Sequence, residues 1–303
     1  MGKIDILDKR FFEDRTRFAE LVNTEIYRGE RILVPHELES LRRSYPSLGT
    51  VSGEKTRDVL MRDRKHDICY GLEIETESDY SMPQRVMVYD ASEYEHQIRE
   101  IHKIHKEKGE YVDYRSRKSR MQQDDFLIPV LTMVLYLGEG QWKGKRGLLE
   151  LLRISPELRK QLGSRFQDYE FPLIEADCVD PKNYDTDLRE FFQAMQCRGN
   201  LSRLEELFHK EGREKLNHET ELVISAHLGD RRLFQQVEEG VLMCKALEDL
   251  SKREREIGRQ EGTKQGAKQE KERVLRKMLQ AGLEESLIMN ILNCTKEEVT
   301  AAR

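Results

Sequence analysis

No apolar run in the sequence is long enough to form a membrane-spanning helix. The longest, FLIPVLTMVLYL at 126–137, falls short of the roughly 18 residues that such a helix needs. The phosphate-cradling G-x-x-x-x-G-K-[ST] loop and the G-x-G-x-x-G turn are both missing, so nucleotide hydrolysis and a dinucleotide cofactor have no support. A G-x-S-x-G elbow is missing too, and with it the usual setting for a serine nucleophile. The five cysteines, Cys69, Cys178, Cys197, Cys244 and Cys294, show no C-x-x-C spacing. An odd number cannot all pair within the chain. A reducing cytoplasm is the expected home.

The opening MGKIDILDKRFFEDRTRF has neither the apolar stretch of a secretory signal nor the Ser or Thr of a myristoylation site. The net charge of −5 gives no global attraction to nucleic acid, so any such surface must be a local patch. His96, His102 and His105 lack an H-E-x-x-H setting, and they read as surface charge rather than zinc ligands.

What is present is a heavily charged chain with enough apolar residues for a core: 36% charged and 37% hydrophobic over 303 residues. The spacing of Phe11, Phe18, Leu21, Val22 and Ile26 predicts one helix over 11–27, stopping at Arg28-Gly29. A short helix follows from Pro35. Strands are expected at 55–61 and 68–76, joined as a hairpin by RDRKHD. A long helix should run from 84 to its stop at Gly109.

YRSRKSRMQQDD reads as a polar, basic loop, and the Val- and Leu-rich run at 126–137 as the central strand of a sheet covered on both faces. Short helices at 147–152 and 156–162 and a strand in YEFPLIEA complete an α/β domain over 1–180. Apolar residues three and four apart then predict helices over 185–250. At 251–272 the charged, glycine-spaced segment is either a flexible tether or a helix. Over 273–303 a small helical module is expected, with a break at Ala281-Gly282 and a helix start at Thr295, three residues before Glu298. It has the size of a helix-turn-helix or of an oligomerisation knot, and a homodimer through this C-terminal region is one expectation.

The chemistry is concentrated in YGLEIETES. Glu73 and Glu75 are two residues apart on a predicted strand and so share a face. Asp58 lies near the end of its expected antiparallel neighbour, so three carboxylates can converge. Three oxygen donors suit Mg²⁺ or Mn²⁺, and a cation held so would polarise a phosphoryl oxygen and acidify a water. The same alternation also fits a half-exposed strand whose wet face is merely charged. Arg115, Arg117, Lys118 and Arg120, with tyrosines close by, have the composition of a phosphate-contacting loop.

The string YGLEIETESDYSMPQRVMVYDASEY, with TRDVL before it and FLIPVLTMVLYLGEGQW after it, resembles the recombination-promoting nuclease or transposase-like family of the PD-(D/E)XK superfamily. The likeness extends to MGKID…DRTRFAELVNTEIY and to the glycine-spaced tail, and it is strongest over residues 1–145. It implies a restriction-endonuclease-like α/β core, a mixed central sheet flanked by helices, followed by an all-helical C-terminal region. It also implies a Mg²⁺- or Mn²⁺-dependent DNA endonuclease. Asp58 would be the first acid, Glu73 the second and Glu75 the third catalytic member, with Glu20, or less fittingly Asp14, assisting Asp58 and Glu73 with metal. Arg85 and Tyr89 match the family's Arg/Lys and Tyr and would face DNA.

The chain departs from the pattern at Glu75, where a Lys or Gln is usual. The rival expectation is therefore a catalytically impaired DNA-binding or scaffold protein that assembles through its C-terminal helices.

Overall fold

The alternation of Leu72 and Ile74 with Glu73 and Glu75 does produce a strand, but one without a wet face. In the computed structural model, which describes residues 2–41, 44–45, 55–209 and 216–302, the strands are β1 (Leu38–Ser40), β2 (Ser44–Tyr45), β3 (Lys55–Thr56), β4 (Val59–Asp63), β5 (Ile68–Glu75), β6 (Val130–Tyr136) and β7 (Leu173–Glu175). Five of them form one sheet in the order β1-β4-β5-β6-β7, while β2 and β3 pair with each other. The first three strands of the sheet run antiparallel, and β5, β6 and β7 run parallel.

The expected hairpin is β4 and β5, turning at Asp67 with a left-handed φ of 51°. The strand expected at 55–61 is interrupted: β3 stops at Thr56 and β4 starts at Val59, leaving Arg57 and Asp58 between them. The run at 126–137 does yield a strand with both faces covered, since Met133, Val134 and Leu135 are fully buried. It is not the central one, however. That place belongs to β5, which β6 flanks as a parallel neighbour.

A parallel pair needs a crossover, and α3 (Met82–Lys108) supplies it. Gly109, at φ 68°, ends that helix in the left-handed conformation that glycine adopts without steric cost. Met82 and Val86 of α3 pack with Val134 and Phe171 on one sheet face.

The single helix predicted over 11–27 is instead two, α1 (Lys3–Phe12) and α2 (Arg15–Glu25). Asp14 is the reason: its carboxylate accepts from the N–H groups of Thr16 and Arg17, both at 3.0 Å, and so starts a new helix. Phe11, Phe12, Phe18, Leu21 and Val22 of this pair are fully buried. Phe191 meets the Phe11 and Phe12 rings at 5.3 and 5.5 Å, and Arg17 grips Asp187 through two 2.8 Å contacts. The helices Leu188–Cys197, Leu201–Phe208, His218–His227 and Arg231–Glu238 thus belong to the same compact unit as the sheet, Met1–Met243.

The second unit is Cys244–Arg303. Its glycine-spaced segment is helical, within a helix that runs from Met243 to Gln280. Gly282, at φ 78°, makes the expected break. Thr295 and Glu298 form the predicted reciprocal cap, and Leu275, Ile288, Cys294 and Val299 make a small core. The architecture is α/β, a mixed five-stranded sheet flanked by helices with a helical C-terminal part. Among the described residues no helix is long and apolar enough to cross a membrane.

Candidate functional site

Register brings the three carboxylates together. Val59 pairs with Leu72, so Asp58, one step before β4, comes level with Glu73. The Ile74 N–H donates to Asp58 Oδ2 at 2.8 Å, which extends the ladder through a side chain. Glu73 and Glu75 lie opposite Val134 and Tyr136 on one sheet face. This is the face that α3 covers, and Glu73 is only 1% exposed.

Burying a carboxylate penalises its charged form. Burial, reinforced by the nearby charge of Asp58 and eased by Arg57 and Arg85, pushes Glu73 up to about 8. Glu75 is also raised, by burial first, with Arg85 opposing. Glu73 Oε1 is buried and has no hydrogen-bond partner among the described residues.

Two cations serve these acids. From α3, Arg85 reaches Glu75 Oε1 at 2.8 Å, Asp79 Oδ2 at 2.8 Å and Glu73 Oε2 at 3.4 Å. Burial works against the guanidinium's charge, but Glu75, Asp79 and Glu73 together hold it above its ordinary value. From α1, Lys9 Nζ meets Asp58 Oδ1 at 2.9 Å and is 9% exposed. Among the described residues, Asp58 is thus paired with Lys9, and Glu73, Glu75 and Asp79 with Arg85.

Beneath the cluster, Arg57 is fully buried. It bonds Asp90, donates to Thr132 Oγ1 at 2.8 Å and lies 5.4 Å from the Tyr89 ring. Asp90 also accepts from Thr132 and from the Tyr169 hydroxyl, both at 2.5 Å. This network occupies the space that a side chain on residue 71 would need: a Cβ on Gly71 would lie 2.6 Å from Thr132 Oγ1. Tyr89 packs beside both arginines and is 8% exposed.

Other expected site residues are placed elsewhere. Glu20, expected to assist with metal, instead accepts from the Thr186 hydroxyl and from the N–H groups of Asp185 and Thr186. It therefore ties down the segment that leads into the helix Leu188–Cys197. Asp14 is spent on capping α2. The basic loop contains a short helix, Tyr114–Ser119, and is not beside the acids. Its Arg120 is tied to Glu95 at 3.1 Å, and Glu95 is ten residues, about 15 Å, along α3 from Arg85. Arg115, Arg117 and Lys118 are exposed.

Sequence reasoning missed Lys9, Asp79 and the Arg57–Asp90 pair. For Lys9 a signal existed, since it shares a helix face with Phe12 three residues on.

The raised Glu73 makes stability pH-dependent. A carboxyl whose folded pKa lies above its unfolded value contributes stability at low pH and loses it as pH rises through the folded pKa. Unfolding free energy should therefore fall between about pH 5 and 8.5, with a share from Glu73 on the order of 4 kcal/mol. Urea titrations across that range should show the fall flattened in Glu73→Gln. An equal slope in the variant would refute the assignment.

Among the described residues, no group of three His, Cys, Asp or Glu side chains is arranged as it stands to hold a metal ion. Comparison with known proteins gives no further identification: no family model, no curated protein and no solved structure matches the chain.

Proposed function

We propose that the chain is a divalent-metal-dependent DNA endonuclease built on a PD-(D/E)XK-type core of the recombination-promoting nuclease kind. The observation that carries this reading is Glu73: buried, raised to about 8, with one oxygen lacking a hydrogen-bond partner, and level with Asp58. A buried acid in that state is held short of positive charge. All the donors are carboxylate oxygens, which fits a hard divalent cation.

Asp58 and Glu73 would hold Mg²⁺ or Mn²⁺, which when bound supplies the charge that polarises a phosphoryl oxygen and acidifies a water. Hydrolysis then adds water across one phosphodiester bond. The water oxygen bonds to phosphorus, the bond from phosphorus to one sugar oxygen breaks, and the proton lost by water is matched by one gained by that sugar oxygen. Half-buried Glu75, oriented by Arg85, orients the water and takes its proton at Oε1. Arg85, next to Tyr89 and paired with Glu75 and Asp79, would give the phosphate only those donors that the acids leave.

Supercoiled plasmid incubated with Mn²⁺ tests the reading: nicking that EDTA stops is expected, and no nicking under any divalent ion refutes it. The exposed Arg115, Arg117 and Lys118 would hold the duplex away from the cut. Changing all three to Ala should lower the slope of log affinity against log salt by up to about 3. An unchanged slope in filter binding would remove this segment from the interface.

One observation favours the impaired reading. Lys9 and Arg85, rather than a third ligand, close the acids, and Glu75 stands where Lys or Gln is usual. That protein would retain DNA yet cut none.

A further inference from the structure

We infer that Lys9, brought in by α1, is the catalytic lysine of this site and contacts the phosphate in place of the residue that Glu75 displaces. The inference rests on the endonuclease reading and adds to it a residue far from the acidic strand in sequence.

Phosphodiester cleavage builds negative charge on phosphate oxygens, and a fixed ammonium beside the cut is a direct way to stabilise it. Arg85 is poorly placed to do this alone, because its guanidinium already faces Glu73, Glu75 and Asp79. Lys9 is a second cation at the cluster, 2.9 Å from the Oδ1 of Asp58. It is therefore at the acid the cation would share, and on a different element from the motif.

Its position is fixed from behind. Asp8, the residue before it, bonds His227 Nε2 at 2.7 Å with both side chains buried. Phe11 and Phe12, one turn further on, pack against Phe191. With the helix held at these points and its own side chain buried against Asp58, Lys9 loses little further freedom when it meets a phosphate. The helices from Leu188 onward thereby gain a role in the site, since they hold α1 in register with it.

An ammonium on Asp58 Oδ1 also competes with a divalent ion for that oxygen. Two effects of removing Lys9 should therefore point in opposite directions, which a merely structural lysine would not produce. The full chain and its Lys9→Gln variant are titrated with Mn²⁺ by calorimetry, and plasmid cleavage is then timed at saturating Mn²⁺. The variant should bind Mn²⁺ as tightly as the parent or more tightly, and cut on the order of a hundredfold more slowly.

Equal cutting rates at saturating Mn²⁺ would overturn the assignment while leaving the endonuclease reading intact. Weaker Mn²⁺ binding with a lowered melting temperature would overturn it too, because Lys9 would then be structural. A parent chain that binds Mn²⁺ and cuts nothing would sink both readings. Should Lys9→Gln not fold, Lys9→Arg decides: a wider, planar cation should keep Mn²⁺ affinity and lose about tenfold in rate, and an undiminished rate would refute the assignment.

Discussion

Replacing Asp58 with Asn is expected to cut the rate of plasmid cleavage by on the order of a thousandfold while leaving the fold standing. The two effects separate because of what Asp58 does in the folded chain. Its Oδ2 accepts from the Ile74 N–H, and an amide oxygen can keep that bond. Its negative charge raises Glu73, so removing the charge eases the buried carboxyl. The loss falls on Lys9, which faces Asp58 Oδ1. Circular dichroism should be unchanged, and calorimetry should show weakened Mn²⁺ binding. Asp58→Ala, which also removes the acceptor for Ile74, should cut no faster. Cleavage by either variant within about tenfold of the parent would place the reactive acids elsewhere.

Asp90→Ala should be strongly destabilising, by about 3–5 kcal/mol. Arg57 is fully buried and Asp90 is its carboxylate partner. Removing that carboxylate strands a guanidinium, and with it the hydroxyls of Thr132 and Tyr169 that donate to the same group. A milder outcome is expected for Asp90→Asn, which can keep the Oδ1 acceptor that Arg57 and Thr132 share and lose only the one that Tyr169 uses. The chain's single tryptophan, Trp142, reports the transition, because it packs on Tyr136 at 5.3 Å and Phe171 at 6.4 Å in the core under α3. A urea midpoint for Asp90→Ala close to the parent's would show that Arg57 finds another partner or reaches water, and that the network does not brace the site.

How far the sequence could be read follows from the range of the interactions involved. Patterns that act over a few residues were legible: the β4 to β5 hairpin, α3 with its glycine stop, and the Thr295–Glu298 cap. The convergence of Asp58 with Glu73 was legible too, because an antiparallel register follows from a short turn.

The break at Asp14 was misread because a helix-compatible apolar spacing continues across it, while a single side chain capping two N–H groups decides the outcome. The acidic face was expected to have solvent as one outcome. Alternation shows that two faces differ, and it cannot say that a later helix will cover the polar one. Glu20 was placed by analogy, and its actual partners, Asp185 and Thr186, lie some 165 residues away in sequence. Lys9 and Asp90 were missed for a related reason: each is an ordinary charged residue on a helix until tertiary packing sets it against Asp58 or Arg57.

The most direct test is a crystal of the full chain soaked in Mn²⁺ and measured for anomalous scattering. A peak within coordination distance of both Asp58 and Glu73 is the predicted result, with Lys9 no longer on Asp58 Oδ1. A clean map at that position under saturating Mn²⁺, with the lysine still seated on the aspartate, would contradict it.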